Sequence, residues 1–331
     1  MNTLTKTLLA GSALATAMTV LPATAGAQEF EFVHASLNPS NHIDYPVNMD
    51  FVNRVEALSD GRITFEVFEG GVLGDEREMM EQIATGTITT ARLAPAVMSS
   101  ICPEMSMLNL PFLYDDGEEL LEVARSDDFA AICDEALIAE GIRPLDYWWM
   151  GVRDVYATVP IESLEDVAGV KLRTWQDPYV LAAWEELGAI PTPISFSELY
   201  TAMQTGTVDG AEGWAASYNS RSFYEVAPHL TRIGYIHIAS ALVISQQAWQ
   251  SLPEDLQAVV AQAAAENSQF AYETFSAEQN SIYDRAQEVA TVHDLTDIEA
   301  WRAATASVIE RFAADYPGPA GDLALSLAGG E

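Results

Sequence analysis

The chain is predicted to be an α/β protein built from two similar blocks that face each other across a cleft, with one long helix near the C-terminus tying them together. Three observations lead there. Strand-like and helix-like patterns alternate from residue 28 onward, which implies βαβ units and a mainly parallel sheet. The alternation recurs from Gly169 without a periodic repeat, giving two blocks. Between Pro253 and Pro317 there is neither glycine nor proline, so a helix can run there unbroken.

In the first block EFEFVHAS (29–36) reads as a strand, and Pro46 to Leu58 as an amphipathic helix with proline in its first turn, stopped by Gly61. RITFEVFE (62–69) is a second strand; Gly70-Gly71 follow, then a helix from about Asp75 to Ala84, stopped by Gly86. In the second block the strand GVKLRTW (169–175) leads to a helix from Tyr179 to Leu187, then Pro191 and Pro193, a helix from Ser197 to Gln204, Gly206 and the strand TVDGAE. Ser251 with Glu254 has the form of a capping box, and a helix from there to about Val289 would be ~50 Å long, enough to lie along both blocks. Thr296 with Glu299 opens a shorter helix in the same way.

Composition narrows the class. Fifteen Lys plus Arg stand against 49 Asp plus Glu, a net charge of −34, which excludes nucleic acid and anionic membrane surfaces as partners. The N-terminus reads as a secretory signal over 1–27: Lys6, an apolar run from Leu8 to Leu21, and Ala25-Gly26-Ala27 as the cleavage site, leaving Gln28 first. A membrane anchor fits less well, because the run is short and closed by Pro22. Cys102 and Cys133 would meet an oxidising compartment, where they are free to pair or not.

In so acidic a chain the strand GVKLRTW is unusual. Alternation puts Lys171, Arg173 and Trp175 on one face, with Arg173 at the carboxyl end, where open α/β sheets bind ligands. A guanidinium there matches a carboxylate bidentately; it would equally pair with Glu185 or Glu186 on the next helix. Arg153, in WWMGVRDVYA, is a second cation, and Trp148, Trp149, Trp175 and Trp214 either wall a pocket or fill the core. Asp209 and Glu212 lack a His or Cys to complete a metal site. The five histidines have no metal spacing, and no nucleophile motif occurs, so neither cofactor nor catalytic residue is expected.

The run GVKLRTWQDPYVLAAWEELGAIPTPISFSELYTAMQTGTVDGAE closely resembles the core signature of the DctP-type solute-binding proteins of tripartite ATP-independent periplasmic (TRAP) transporters. GxR, G-x-K-x-R and GA-x-PTP through DG-x-E occur in family order from Gly151 to Glu212, and GGVLGDEREMMEQIATGTI and LPFLYDD also resemble family segments. The resemblance implies a two-domain, class II-like periplasmic binding fold with the cleft between domains: 28–150 plus about 237–276, and 151–236 plus about 277–331. It places the principal carboxylate-binding arginine at Arg173, its support at Arg153, the pocket phenylalanine at Phe196 and a neighbour at Gln176. Where the family often has asparagine after the Glu of DG-x-E, this chain has Gly213, followed by Trp214. Trp175, with Asn38, Asn41, Glu76 and His237 as polar candidates, favours a sugar acid among organic acids. The implied protein is a periplasmic monomer, not membrane-inserted, whose partners are an organic acid and a membrane permease. The alternative is a secreted α/β enzyme acting on a carboxylated substrate.

Overall fold

The structure is a computed structural model that describes residues 28–329; the signal segment lies outside the described residues. In the first block, β1 (Phe30–Ala35), α1 (Tyr45–Leu58), β2 (Ile63–Phe68), α2 (Glu76–Ala84) and β3 (Thr90–Leu93) follow the expected alternation. After α3 (Pro95–Met98), a 3-10 helix (Pro103–Asn109), α4 (Gly117–Ala124) and α5 (Asp127–Ala139) comes β4 (Ile142–Ala157). The second block holds α6 (Leu164–Val167), β5 (Lys171–Thr174), α7 (Pro178–Glu186), β6 (Ile190–Pro193), α8 (Leu199–Gln204), β7 (Gly210–Trp214) and α9 (Ala215–Ser220). Then come β8 (His229–Ser245), α10 (Gln246–Ser251), α11 (Glu254–Gln287), β9 (Thr291–Asp294), α12 (Ile298–Asp315) and α13 (Pro319–Gly329).

The strands form one sheet in the order β2-β1-β3-β8-β4-β7-β5-β6, with β9 on β8. The flanks are parallel, β1 with β2 and β3, and β5 with β6 and β7, as the alternation predicts. The middle is not. β4 and β8 pair antiparallel over most of their length, and each joins its flank antiparallel as well. The sheet is therefore mixed, and the two blocks share it. Both long strands are buried or half-buried throughout, without the regular alternation of a one-sided strand, and that pattern masks strand direction.

The β4–β8 register breaks between Trp149 and Val152, at Gly151. Its φ of +123° suits glycine alone, and a Cβ there would meet the Trp214 indole nitrogen at 2.9 Å. A separate apolar cluster under the second block, with Trp184, Tyr235 and Trp301 buried at its centre, gives that half its own core. α11 spans about 51 Å at 1.5 Å per residue. It touches both halves: Asn267 donates to the Val47 carbonyl (2.8 Å), and the Ile282 carbonyl accepts from Asn219 (2.8 Å). Cys102 and Cys133 are disulfide-bonded, joining α5 to the segment before the 3-10 helix.

Two helix starts differ from expectation. Ser251 ends α10 and donates to the Ala248 carbonyl (2.7 Å), so α11 begins after Pro253 with no side-chain cap. Asp297, not Thr296, caps α12 by accepting from the Ala300 amide, while Thr296 donates to the Glu162 carbonyl. In both cases a neighbouring carbonyl captured the hydroxyl that the motif assigns to the helix.

Asp154 joins β4, β8 and α11. One carboxylate oxygen accepts from the Ile233 (2.9 Å) and Gly234 (3.2 Å) amides, the other from the Tyr283 hydroxyl (2.7 Å). Burial pushes its pKa up from 3.8 to about 6, only partly opposed by those hydrogen bonds. The folded state therefore holds a proton that the unfolded chain has released, so stability falls as pH rises from about 4 to 6. Asn at this position keeps an oxygen for the two amides, turns its nitrogen to donate to the Tyr283 oxygen in a reversed hydrogen bond, and removes the titration. Asp154→Asn is expected to gain roughly 1 to 3 kcal/mol relative to wild type between pH 4 and 7, read from melting curves. A pH-independent difference would contradict this account.

Candidate functional site

A cavity of about 170 Å³ lies beyond the carboxyl ends of β1, β3, β5 and β7, lined by residues of both halves. Parallel strands on each flank point their ends at the same space, so the loops that follow them converge.

Arg173, on β5, is 6% exposed. Its Nε donates to the Ile194 carbonyl (2.9 Å), and its Nη1 lies 4.0 Å from Glu212 Oε1. Neither terminal nitrogen has a hydrogen-bond partner among the described residues. Glu185 and Glu186 lie elsewhere, exposed on α7, so the local pairing does not form. Arg153, on β4, forms a short ion pair through Nε with Glu212 Oε2, and its Nη2 donates to the Glu212 carbonyl (3.1 Å). Its guanidinium sits 3.9 Å above the Trp175 ring, a cation–π stack. Glu212 is fully buried and also accepts from the Tyr235 hydroxyl (2.8 Å). Burial disfavours the Arg173 cation, and the carboxylate of Glu212 is the main group opposing that.

The other end of the cavity has different chemistry. Asp75 caps α2 in a capping box with Glu78, which puts Glu76 at the first helical position, facing the cavity. Arg92, ending β3, donates to the Ser240 hydroxyl (2.7 Å) and lies 3.6 Å from Glu76 and 3.8 Å from Asp44. Asp44 accepts from Asn38 (2.7 Å) and contacts His42 Nδ1 (2.6 Å), whose Nε2 meets the Ser217 hydroxyl (3.2 Å). Burial alone would raise the Asp44 pKa, yet His42, Arg92 and Asn38 outweigh it and hold it at about 2. The His42–Ser217 contact crosses from one half to the other. So do Arg221 to the Leu37 carbonyl (2.8 Å) and Arg77 to Gln176 (3.3 Å).

Of the residues singled out from sequence, Arg173, Arg153, Trp175, Gln176, Phe196, Gly213, Trp214, Glu76 and Asn38 line this cavity. Glu212 stands behind the arginines. His237 is not brought to it: its ring accepts from the Trp149 indole (3.0 Å). Asn41 instead contacts the Ser220 carbonyl. The tryptophans divide, with Trp148 and Trp149 in the core and Trp175 and Trp214 on the cavity. Gly213 has a steric reason: a Cβ there would meet the Tyr156 hydroxyl at 2.7 Å, so a phenol occupies the space a larger residue would need. Sequence reading missed His42, Asp44, Arg92, Ser217 and Arg221. One signal was available for Arg92: it ends a strand in a chain with only 13 arginines. Among the described residues no group of three or more His, Cys, Asp or Glu side chains is placed to hold a metal ion.

Comparison with known proteins identifies the arrangement. Residues 34–315 match the DctP family model, described as bacterial extracellular solute-binding protein, family 7. A solute-binding protein of Sulfitobacter sp. (strain NAS-14.1) is 33% identical over 279 residues, 84% of each chain. The C4-dicarboxylate-binding periplasmic protein DctP of Rhodobacter capsulatus is 27% identical over 271 residues, 80% of each. Among solved structures, a Sulfitobacter TRAP periplasmic solute-binding protein with bound α-D-taluronate superposes with a TM-score of 0.84 at 29% identity, covering 90% of this chain and 97% of the other. A sugar-acid-binding protein of Advenella mimigardefordensis in complex with galactonate gives 0.84 at 26% identity, with the same coverage. The chain therefore belongs to the DctP family of extracellular solute-binding proteins, the binding subunits of TRAP transporters.

Proposed function

We propose that this protein is exported through its N-terminal signal segment, captures a small hydroxylated organic acid in the periplasm, a sugar acid by preference, and presents it to the TRAP membrane permease. The observation that carries this reading is the buried Arg173, which lines the cavity with its Nε anchored and its terminal nitrogens without a hydrogen-bond partner among the described residues. Such a fork fits a carboxylate bidentately. Arg153, Trp175 and Phe196 support it, and Asn38, Glu76 and Gln176 offer partners for hydroxyls. Relatives solved with galactonate and taluronate bind ligands of this class. Among the described residues no helix is long and apolar enough to cross a membrane.

Closure accompanies capture in this reading. The halves, 28–150 with about 237–276 and 151–236 with about 277–331, meet where the β4–β8 register breaks at Gly151, a natural place to bend. Ligand-free protein is expected to have a larger radius of gyration in solution scattering than protein saturated with ligand. Equal radii would contradict the hinge.

Galacturonate, glucuronate and galactonate form the first screen. A cognate acid at about 100 times its Kd should stabilise the protein by ~2.7 kcal/mol. Arg173→Lys keeps the charge but loses the planar fork, and should weaken binding by roughly 30-fold to several thousand-fold in calorimetry. Arg153→Lys should cost less. Recovery of the acid unchanged after prolonged incubation separates binding from turnover. Wild-type affinity in Arg173→Lys would overturn the site assignment.

A further inference from the structure

The two ends of the cavity differ in the charged groups they carry. At the Arg173 end two guanidinium groups, Arg153 and Arg173, share one carboxylate, Glu212. At the far end the reverse holds: one guanidinium, Arg92, lies between two carboxylates, Asp44 and Glu76. A second cation, Arg221, donates to the Leu37 carbonyl, lies 4.6 Å over the Phe196 ring and is attracted by the Asp44 and Glu76 carboxylates, offsetting part of their charge. Asp75 and Arg77 at the mouth offset each other. Glu76 Oε1 is buried on the cavity and lacks a hydrogen-bond donor among the described residues. An oxygen in that state is satisfied by a ligand hydroxyl and opposed by a ligand anion.

We propose that Glu76 restricts the cleft to acids with a single carboxylate: hydroxyl-rich monoacids bind, and diacids of the same skeleton are rejected. The inference rests on the reading of Arg173 as the carboxylate site. Relatives include both a C4-dicarboxylate binder and binders of sugar monoacids, so family membership leaves the choice open. The far end decides it by charge. A ligand whose carboxylate sits on the Arg173 fork places its other terminus toward Glu76, with Asp44 buried behind it. A hydroxymethyl or ring hydroxyl there donates to Glu76, whereas a second carboxylate meets like charge in a partly desolvated cleft.

Galactonate and galactarate differ only in the oxidation state of the far carbon, and so do gluconate and glucarate. A third pair, 2-hydroxybutyrate and malate, tests shorter skeletons. Calorimetry on the full mature chain at pH 8 is expected to give diacids about 100-fold or more weaker than their monoacid partners. In Glu76→Gln, whose amide donates to a carboxylate, the ratio within each pair should narrow by about 10-fold or more, whatever happens to the monoacid itself. Glu76→Ala, with its melting temperature, guards against loss of fold in the first variant. Wild-type binding of a diacid as tightly as its monoacid partner overturns the proposal, as does an unchanged ratio in both folded variants. Discrimination and narrowing seen only for the 2-hydroxybutyrate and malate pair would support Glu76 and overturn the sugar-acid reading alone.

Discussion

Buried Glu212 is the interaction on which the site depends. Two guanidinium groups less than a tenth exposed would be prohibitively costly without a counter-charge. Glu212 provides it from the neighbouring strand, holding Arg153 directly and standing 4.0 Å from Arg173. Tyr235 takes up another share of the same carboxylate. The result is a cationic centre fixed in place by strands rather than by loops. One carboxylate cannot neutralise both arginines, and that incomplete neutralisation leaves a net positive centre on the cavity.

The sheet puts this centre where it can act. Arg153 comes from β4, which runs through both halves, while Arg173 and Glu212 come from β5 and β7, which belong to the second. The first half contributes the opposite wall, through the loop after β1, the start of α2 and the end of β3. Arg221, His42 and Arg77 then bridge the two walls by hydrogen bonds. Those bridges are few and polar, the kind of contact that separates at small cost. The shared strands and α11 hold the halves in register.

Much of the site was legible before the fold. Arg173 stood out because a cation in a short apolar strand is unusual in a chain of net charge −34. The family-like order of motifs then placed Arg153, Phe196 and Gly213. The far wall was not legible. Arg92 lies about 50 residues from His42 and Asp44 along the chain and meets them only because β1 and β3 are neighbours in the sheet. His237 was misplaced for a related reason: position in β8 says that a residue is near the cleft, but packing against Trp149 decides where its ring goes.

The sequence by itself determined the α/β alternation, the long uninterrupted helix, the acidic composition and the presence of Arg173 at the end of a strand that lines the cavity. These are local properties, set by hydrophobic period, by the absence of glycine and proline, and by composition. Only the tertiary structure decided that one mixed sheet runs through both halves, because the burial pattern of β4 and β8 carries no sign of their direction. It alone also decided the charge balance at each end of the cavity. That balance arises from carboxylates and guanidinium groups of different strands, helices and loops, brought within 4 Å by the fold, which no local pattern encodes.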